Sequence, residues 1–519
     1  MRGQNKTWIL LTAVLFASLA HADIRLPAII SDSMVLQQKT EVAIWGWADP
    51  GEKVEVQGDW QWIQKEKTVA DENGRWQVKL KTPAAGGPHT VTVQGNNRIV
   101  IQNVLIGEVW LGSGQSNMEM RLSSTENAPE EIAAANYPAI RLFTVPHEIA
   151  TEPKDDCDGV WVECSAETIS KFSAAAYFFA RRLHGELKGP VGMIHSSWGG
   201  TPAEAWTTAK DLAAEPEFEP ILKTWQQELA DYPVKKTEYD RQLQAWERET
   251  SERKSRDEKP PAKPTAPRGP DNPRRPAVLY NGMIHPIVPY TIKGAIWYQG
   301  ESNAGRAYQY RKLFPAMITS WRNQWGQGDF PFYFVQLANY QKIKPEPAED
   351  SWAELREAQA MTLALPRTGM AVAIDIGDEK TIHPLNKKDV GERLARWALA
   401  KDYGREIVVS GPIYKAMKTE GDKIVLTFDY TDGGLAAGNN APLKQFAIAG
   451  ADKKFVWADA EIAGDTVVVK SPQVPNPVAV RYAWQMNPQG CNLYNKAGLP
   501  ASPFRTDDWP GTTGSKTAP

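Results

Sequence analysis

From Val104 onward the chain repeats one pattern, a short unbroken apolar run followed by an amphipathic stretch. The runs are VLIGEVWLG, VGMIHSSWGG, GAIWYQG, FPFYFVQLANY and MAVAIDIG. A strand with one wet face alternates apolar and polar residues, whereas an unbroken run suits a strand buried on both faces, as in a parallel sheet covered by helices. The stretches between carry helical spacing. Phe172, Ala176, Phe179, Leu183 and Leu187 recur every three or four residues, a second helix begins at Ser351 with Glu354 completing a capping box, and a third runs from Asn386 to about Lys401. The pattern predicts an α/β sandwich around a parallel sheet, with ligands bound beyond the carboxyl ends of its strands.

The rest of the chain reads differently. Residues 23–103 alternate apolar and polar positions in VAIWGW, EKVEVQG, RWQVKL and HTVTVQ, which predicts an N-terminal antiparallel β-domain. The alternation returns in KIVLTFDY, DTVVVKS and AVRYAW, so residues 404–519 are expected to form a C-terminal β-domain and tail behind a core at 104–403. Within that core, residues 222–276 are rich in charge and then in proline, which predicts a solvated helical insertion followed by an extended linker. A chain of 519 residues exceeds what one hydrophobic core usually supports, in keeping with several domains.

Arg2 and Lys6 precede an apolar run from Trp8 to Leu19 that ends in Ala20-His21-Ala22. This predicts a signal peptide, residues 1–22, and a soluble product exported to a periplasm or beyond the cell. The run falls short of the roughly 20 residues that span a bilayer, so no membrane insertion is expected after cleavage. With 59 Lys and Arg against 62 Asp and Glu, the formal net charge of −3 gives no basis for nucleic-acid binding. Cys157, Cys164 and Cys491 match no metal or redox spacing, so no metal site is expected. Cys157 and Cys164 are placed to close a small loop, Cys491 is the alternative partner, and the absence of any bond is the third reading.

Chemistry gathers at the ends of the apolar runs. Ser116 follows VWLG in Gly-Ser-Gly-Gln-Ser-Asn, where a strand-to-helix turn exposes the hydroxyl and leaves its own N–H available to a developing oxyanion. Taken alone this signal is weak, because Gly and Ser are ordinary turn residues. Gln299, Glu301 and Asn303 end the run GAIWY, with Gln299 or Asn303 as amide donors and Glu301 as a group to orient a histidine. Of the histidines beyond residue 22, His383 is best placed, after MAVAIDIG and before the helix near Asn386. His195 lies inside a strand-like run, His285 supports the fold, and His89, His147 and His184 read as surface or helix positions. Trp110 and Trp297 read as core, Trp198 adjoins the site segments, and Trp206 is the best sugar-stacking candidate.

The segments GQSNMEM, SSWGGTPAEAW, LYNGMIHPI, WYQGESNA, IHPLNKKDVGERLA and GLPASPFRTDDW span most of the chain, and together they resemble the sialate O-acetylesterase group of SGNH-type carbohydrate esterases. The resemblance implies an SGNH, flavodoxin-like α/β/α core flanked by β-sandwich-type domains, and a carbohydrate O-acetylesterase that needs water and no cofactor. It implies Ser116 as nucleophile and His383 as base, with the oxyanion held by the N–H groups of Ser116 and of Gly200 or Gly199 and by the Gln299 amide. Asn117 and Asn303 complete the substrate-binding candidates. One position departs from the broad pattern: many SGNH enzymes carry Asp three residues before the histidine, and here that residue is Lys380. Glu301 then leads as the triad acid, followed by Asp378 and Asp375. The implied substrate is an acetylated sugar, either sialic acid or a plant polysaccharide, because these motifs read the acetyl ester and not the sugar. The competing readings are a non-catalytic sugar-binding protein on the same scaffold and a glycoside hydrolase, which would need a second carboxylate facing Glu301.

Overall fold

The computed structural model describes residues 23–518, so the expected signal peptide lies outside the described residues. The apolar runs become the strands of a central sheet: β1 (Arg98–Gly114), β2 (Asn136–Thr144), β3 (Trp161–Ser165), β4 (Val191–Ser197), β5 (Gly294–Tyr298), β6 (Phe332–Gln336) and β7 (Thr368–Val372). Their spatial order is β7-β6-β5-β1-β4-β2-β3. Every neighbouring pair is parallel except β2 with β3 at one edge.

Alternate side chains of these strands meet helices on opposite faces. On one face Trp110 packs edge-on against Phe179 of α2 (Ala174–Leu187), and Tyr333 stacks with Trp397 of α6 (Lys387–Tyr403). On the other face Trp297, Phe332 and Phe334 surround Phe314 of α4 (Ala307–Trp325), which packs beside α5 (Ser351–Met361). Trp110 and Trp297 are fully buried, as their place in the apolar runs predicts. The N-cap of α5 is Asp350, whose carboxylate accepts the Trp352 N–H at 2.9 Å. The expected Ser351–Glu354 capping box therefore does not form, and Glu354 instead accepts hydrogen bonds from Thr512 and Thr513 of the C-terminal tail.

The N-terminal β-structure is continuous with the core, and the expected boundary at 103/104 falls within β1. The first half of that strand pairs antiparallel with Gly86–Gln94, and the second half pairs parallel with β4 and β5. The charged insertion forms the long helix α3 (Glu219–Ser255). The proline-rich segment returns along it, with Lys263 over Trp246, Arg268 over Trp225, and the Trp246 indole donating to the Pro261 carbonyl. Toward the C-terminus three small antiparallel sheets, two of four strands and one of two, share an apolar core of their own. All three cysteines are free, so neither candidate disulfide forms; burial raises the Cys164 thiol to about 12. No helix among the described residues is long and apolar enough to cross a membrane.

Arg356 fastens the C-terminal sheets to the core. Fully buried on α5, it donates to the carbonyls of Leu337 and Ala338 just beyond β6 and to those of Gln485 and Met486, at 2.6–2.9 Å. Arg356→Met leaves the Leu337 and Gln485 carbonyls without their donor, whereas Ala338 O keeps the Trp352 indole N–H and Met486 O keeps the Tyr340 N–H, and it should lower the unfolding free energy by about 3 kcal/mol in urea titration. A midpoint equal to that of the wild type would contradict this attachment.

Candidate active site

The register of the sheet brings the site segments to one edge. Gly114 at the end of β1 lies beside Ser197 of β4 on one side and Tyr298 of β5 on the other. The strands reverse their order of addition around β1, which is where an open α/β sheet forms a crevice. At Gly114 φ is +139°, and a Cβ there would sit 2.2 Å from the Tyr298 carbonyl oxygen, so only glycine lets β1 finish this close to β5. The Gln115 N–H then donates to Tyr298 O at 3.0 Å, and the chain turns into the short helix α1 (Ser116–Glu119).

Ser116 opens α1, and its Oγ lies 2.9 Å from His383 Nε2, across 267 positions of sequence. The first N–H of a helix has no carbonyl four residues back, so the Ser116 N–H is left open to an acceptor outside the helix. His383 arrives on the loop after β7. In that loop Asp378 Oδ1 accepts the N–H groups of Lys380 at 2.7 Å and Thr381 at 3.2 Å, and Thr381 Oγ1 accepts the His383 N–H at 3.1 Å. Burial and the nearby Lys387 charge both disfavour the imidazolium and lower the His383 pKa.

Among the described residues no carboxylate is hydrogen-bonded or ion-paired to the imidazole. Among the described residues the ring's hydrogen-bond partner is Ser116 Oγ. Asp378 is engaged with its own loop, and Asp375 pairs bidentately with Arg393 at 2.6 and 2.9 Å. Glu301 accepts the Asn117 amide at 2.6 Å through Oε1, while its buried Oε2 has no partner. Burial raises the Glu301 pKa. The expectation of an acid bonded to the ring is therefore not met by any of the three candidates, because the carboxylate that ends β5 reaches Asn117 and stops there.

The oxyanion candidates separate in the same way. Gln299 is fully buried, with Nε2 donating to Asn303 Oδ1 at 2.6 Å and to Thr201 O at 3.3 Å, and with Oε1 accepting from Tyr310. Its amide hydrogens are committed inward. Asn303 is bonded to Ala203, Gln299 and Glu204 in the same buried network, which Arg306 closes by pairing with Glu204. The Gly199 N–H donates to Glu119 Oε2 at 2.6 Å. Gly200 is exposed at φ +74°, and its N–H has no partner among the described residues. Trp206, expected to stack on a sugar, is fully buried against Trp297 with its indole N–H on Thr201 Oγ1.

Two groups of residues at the site lie outside the candidates that the motifs name. The first is Lys387, with no exposed surface, whose amine donates to Asn117 Oδ1 at 2.8 Å and to Pro384 O at 2.5 Å. Its signal was present in NKKD, where a cation in the first turn of a helix opposes the dipole. The second is Glu119 with His147, 3.2 Å apart, where His147 stacks on Trp198 with ring centroids 4.1 Å apart. A Cβ on Gly199 would lie 3.0 Å from Glu119 Oε2 and 3.2 Å from Ser116 Cβ, so this pair borders the serine. The Glu119 contact raises the His147 pKa despite burial. Nothing short of the fold announces a pairing between positions 119 and 147.

Residues 274–400, which include Glu301, His383 and Lys387, match the profile of the carbohydrate esterase family described as sialic acid-specific acetylesterase. Curated relatives extend the match over almost the whole chain. The mouse sialate O-acetylesterase is 31% identical over 92% of this chain and 94% of its own length, and the human one is 30% identical over 94% of each. The chain belongs to the sialate O-acetylesterase family. A carbohydrate acetylesterase from Xanthomonas citri superimposes with a TM-score of 0.79 at 38% identity, covering 94% of this chain and all of that one. Membership makes this protein an acetylesterase of the carbohydrate-esterase class, and the large mixed α/β sheet with its added β-sheets is the fold it shares with that esterase.

In this sialate O-acetylesterase homologue, an NMR titration of the His383 ring should give a pKa below the ordinary histidine value of about 6.5. The sign follows from burial and a neighbouring cation, both of which favour the neutral ring. A value above 6.5 would require a carboxylate at the ring.

Proposed function

We propose that the protein removes O-acetyl groups from sugars through an acetyl-enzyme on Ser116, with His383 as general base and acid. The contact of Ser116 Oγ with His383 Nε2 at 2.9 Å carries this reading. Ser116 Oγ attacks the acetyl carbonyl while His383 takes its proton, and the carbonyl oxygen becomes an oxyanion. The open N–H groups of Ser116 and Gly200 are the donors assigned to that oxyanion, each worth about 3 kcal/mol of barrier. Collapse breaks the ester bond, and His383 returns the proton to the departing sugar oxygen. Water, deprotonated by His383, then hydrolyses the acetyl-serine and releases acetate.

The parallel sheet with helices on both faces supports an SGNH-type assignment for the core. The β-structure that precedes the shared strand β1 and residues 404–519 are assigned as its flanking β-modules. The charged and then apolar segment ahead of Ala22 supports export. Acetylated sialic acids and acetylated plant polysaccharides are the substrate classes to compare. The hydrolysis employs the protein's own groups and water.

With an aryl acetate as substrate, Ser116→Ala should lose about 10³-fold or more in kcat. Asp378→Asn keeps the side-chain oxygen that accepts from Lys380 and Thr381, so it should retain nearly full activity. Wild-type rates in Ser116→Ala would sink the mechanism, and a crippled Asp378→Asn would show that the Asp378 charge acts on His383. The ratio of kcat/KM for O-acetylated sialic acid to that for acetylated xylo-oligosaccharide then assigns the sugar.

A further inference from the structure

An ester hydrolase has no general need for a lysine buried in the first turn of a helix, yet Lys387 is fully inaccessible there. Burial lowers its pKa to about 7, with Glu301 opposing the shift. The amine is nonetheless firmly held, 2.8 Å from Asn117 Oδ1 and 2.5 Å from the Pro384 carbonyl oxygen, and it lies 5.5 Å from the centroid of the Tyr298 ring. Asn117 in turn gives its amide hydrogens to Glu301 Oε1 at 2.6 Å and to the Ile382 carbonyl at 3.0 Å. The two carbonyls gripped in this way belong to the residues on either side of His383.

We propose that Lys387 is a positioning residue for the general base. With Asn117 it holds the Ile382 and Pro384 carbonyls, fixing from the backbone the imidazole that a ring-bound carboxylate fixes in a triad. Glu301, linked through the Asn117 amide, is the counter-charge that keeps the amine in its buried place. The inference rests on the reading of Ser116 and His383 as nucleophile and base.

The charged and titratable groups facing Lys387 are Glu301 and His383, with the Tyr298 ring beside them. The Lys387 cation disfavours protonation of His383, so removing it raises the His383 pKa and moves the acid limb of kcat/KM to higher pH. Glu301→Gln removes the group that favours the Lys387 cation, so less of the amine is charged, its repulsion of the imidazolium weakens, and the limb again moves up. A carboxylate bonded to the ring acts with the opposite sign, because its loss lowers the histidine pKa and moves the limb down.

The experiment compares kcat, KM and the pH profile of the full chain on an aryl acetate for wild type, Lys387→Met, Lys387→Arg and Glu301→Gln. Each is also labelled with a fluorophosphonate and mapped at Ser116. Lys387→Met should lose about 100-fold in kcat, as a misplaced base does, with KM little changed and the acid limb shifted up. Lys387→Arg should bring the limb back toward that of the wild type, because it restores a cation, which a purely space-filling role would not require. Should Lys387→Met fail to fold, Lys387→Arg and Glu301→Gln carry the test. A wild-type rate and limb in Lys387→Met, or a limb moving down in Glu301→Gln, overturns the proposal. Absence of label at Ser116 in the wild type overturns the nucleophile assignment and this inference with it, whereas label at Ser116 with an unaltered Lys387→Met overturns this inference alone.

Discussion

The carboxamide of Asn117 uses both of its amide hydrogens and its oxygen inside the protein, on Glu301, the Ile382 carbonyl and Lys387. Those partners stand on the segment after β5, on the loop after β7 and at the start of α6, while Asn117 itself belongs to the turn after β1. A parallel sheet delivers its loops to one edge but does not set their relative height or angle. Here one side chain next to Ser116 ties them together, and the sheet supplies a rigid base because Gly114 lies level with both Ser197 and Tyr298. Ser116 Oγ and His383 Nε2 stand 2.9 Å apart beside that tie.

Two electrostatic environments border the serine. On one side Glu301 and Lys387 are buried and joined through Asn117, so the charge each would carry is balanced within a few residues of the base. Burying opposite charges together adds little stability in general, but removing one partner is strongly unfavourable. On the other side Glu119 and His147 remain partly exposed, with Glu119 on the Gly199 N–H and His147 on the Trp198 ring.

The sequence carried the scaffold well for a physical reason. Runs such as GAIWY and FYFVQ are apolar at every position, a pattern that only strands covered on both faces require, and they became β5 and β6. The helix from Asn386 was equally plain, with Asn386 accepting the Asp389 N–H as its cap. The meeting of Ser116 with His383 followed from strand ends sharing one edge. What stayed hidden depends on which neighbour a polar group finds once the chain is folded. Gln299 and Asn303 have the chemistry of oxyanion donors but turn inward to Thr201, Tyr310 and Glu204. Glu301 has the chemistry of a triad acid but is intercepted by Asn117, and Trp206 has the face of a sugar platform but lies under Trp297. Spacing along a chain gives the residue type available at an edge and leaves its rotamer and partners to the tertiary structure.

The proposed mechanism requires that acetyl pass through Ser116. Acid quenching during steady-state turnover of an acetylated substrate, followed by peptide mapping, tests it directly. An acetyl group is expected on the peptide containing Ser116, formed and lost at rates that match turnover. Full turnover with no acetylated Ser116 under conditions where deacetylation limits the rate, or acetyl found on another residue, would contradict it.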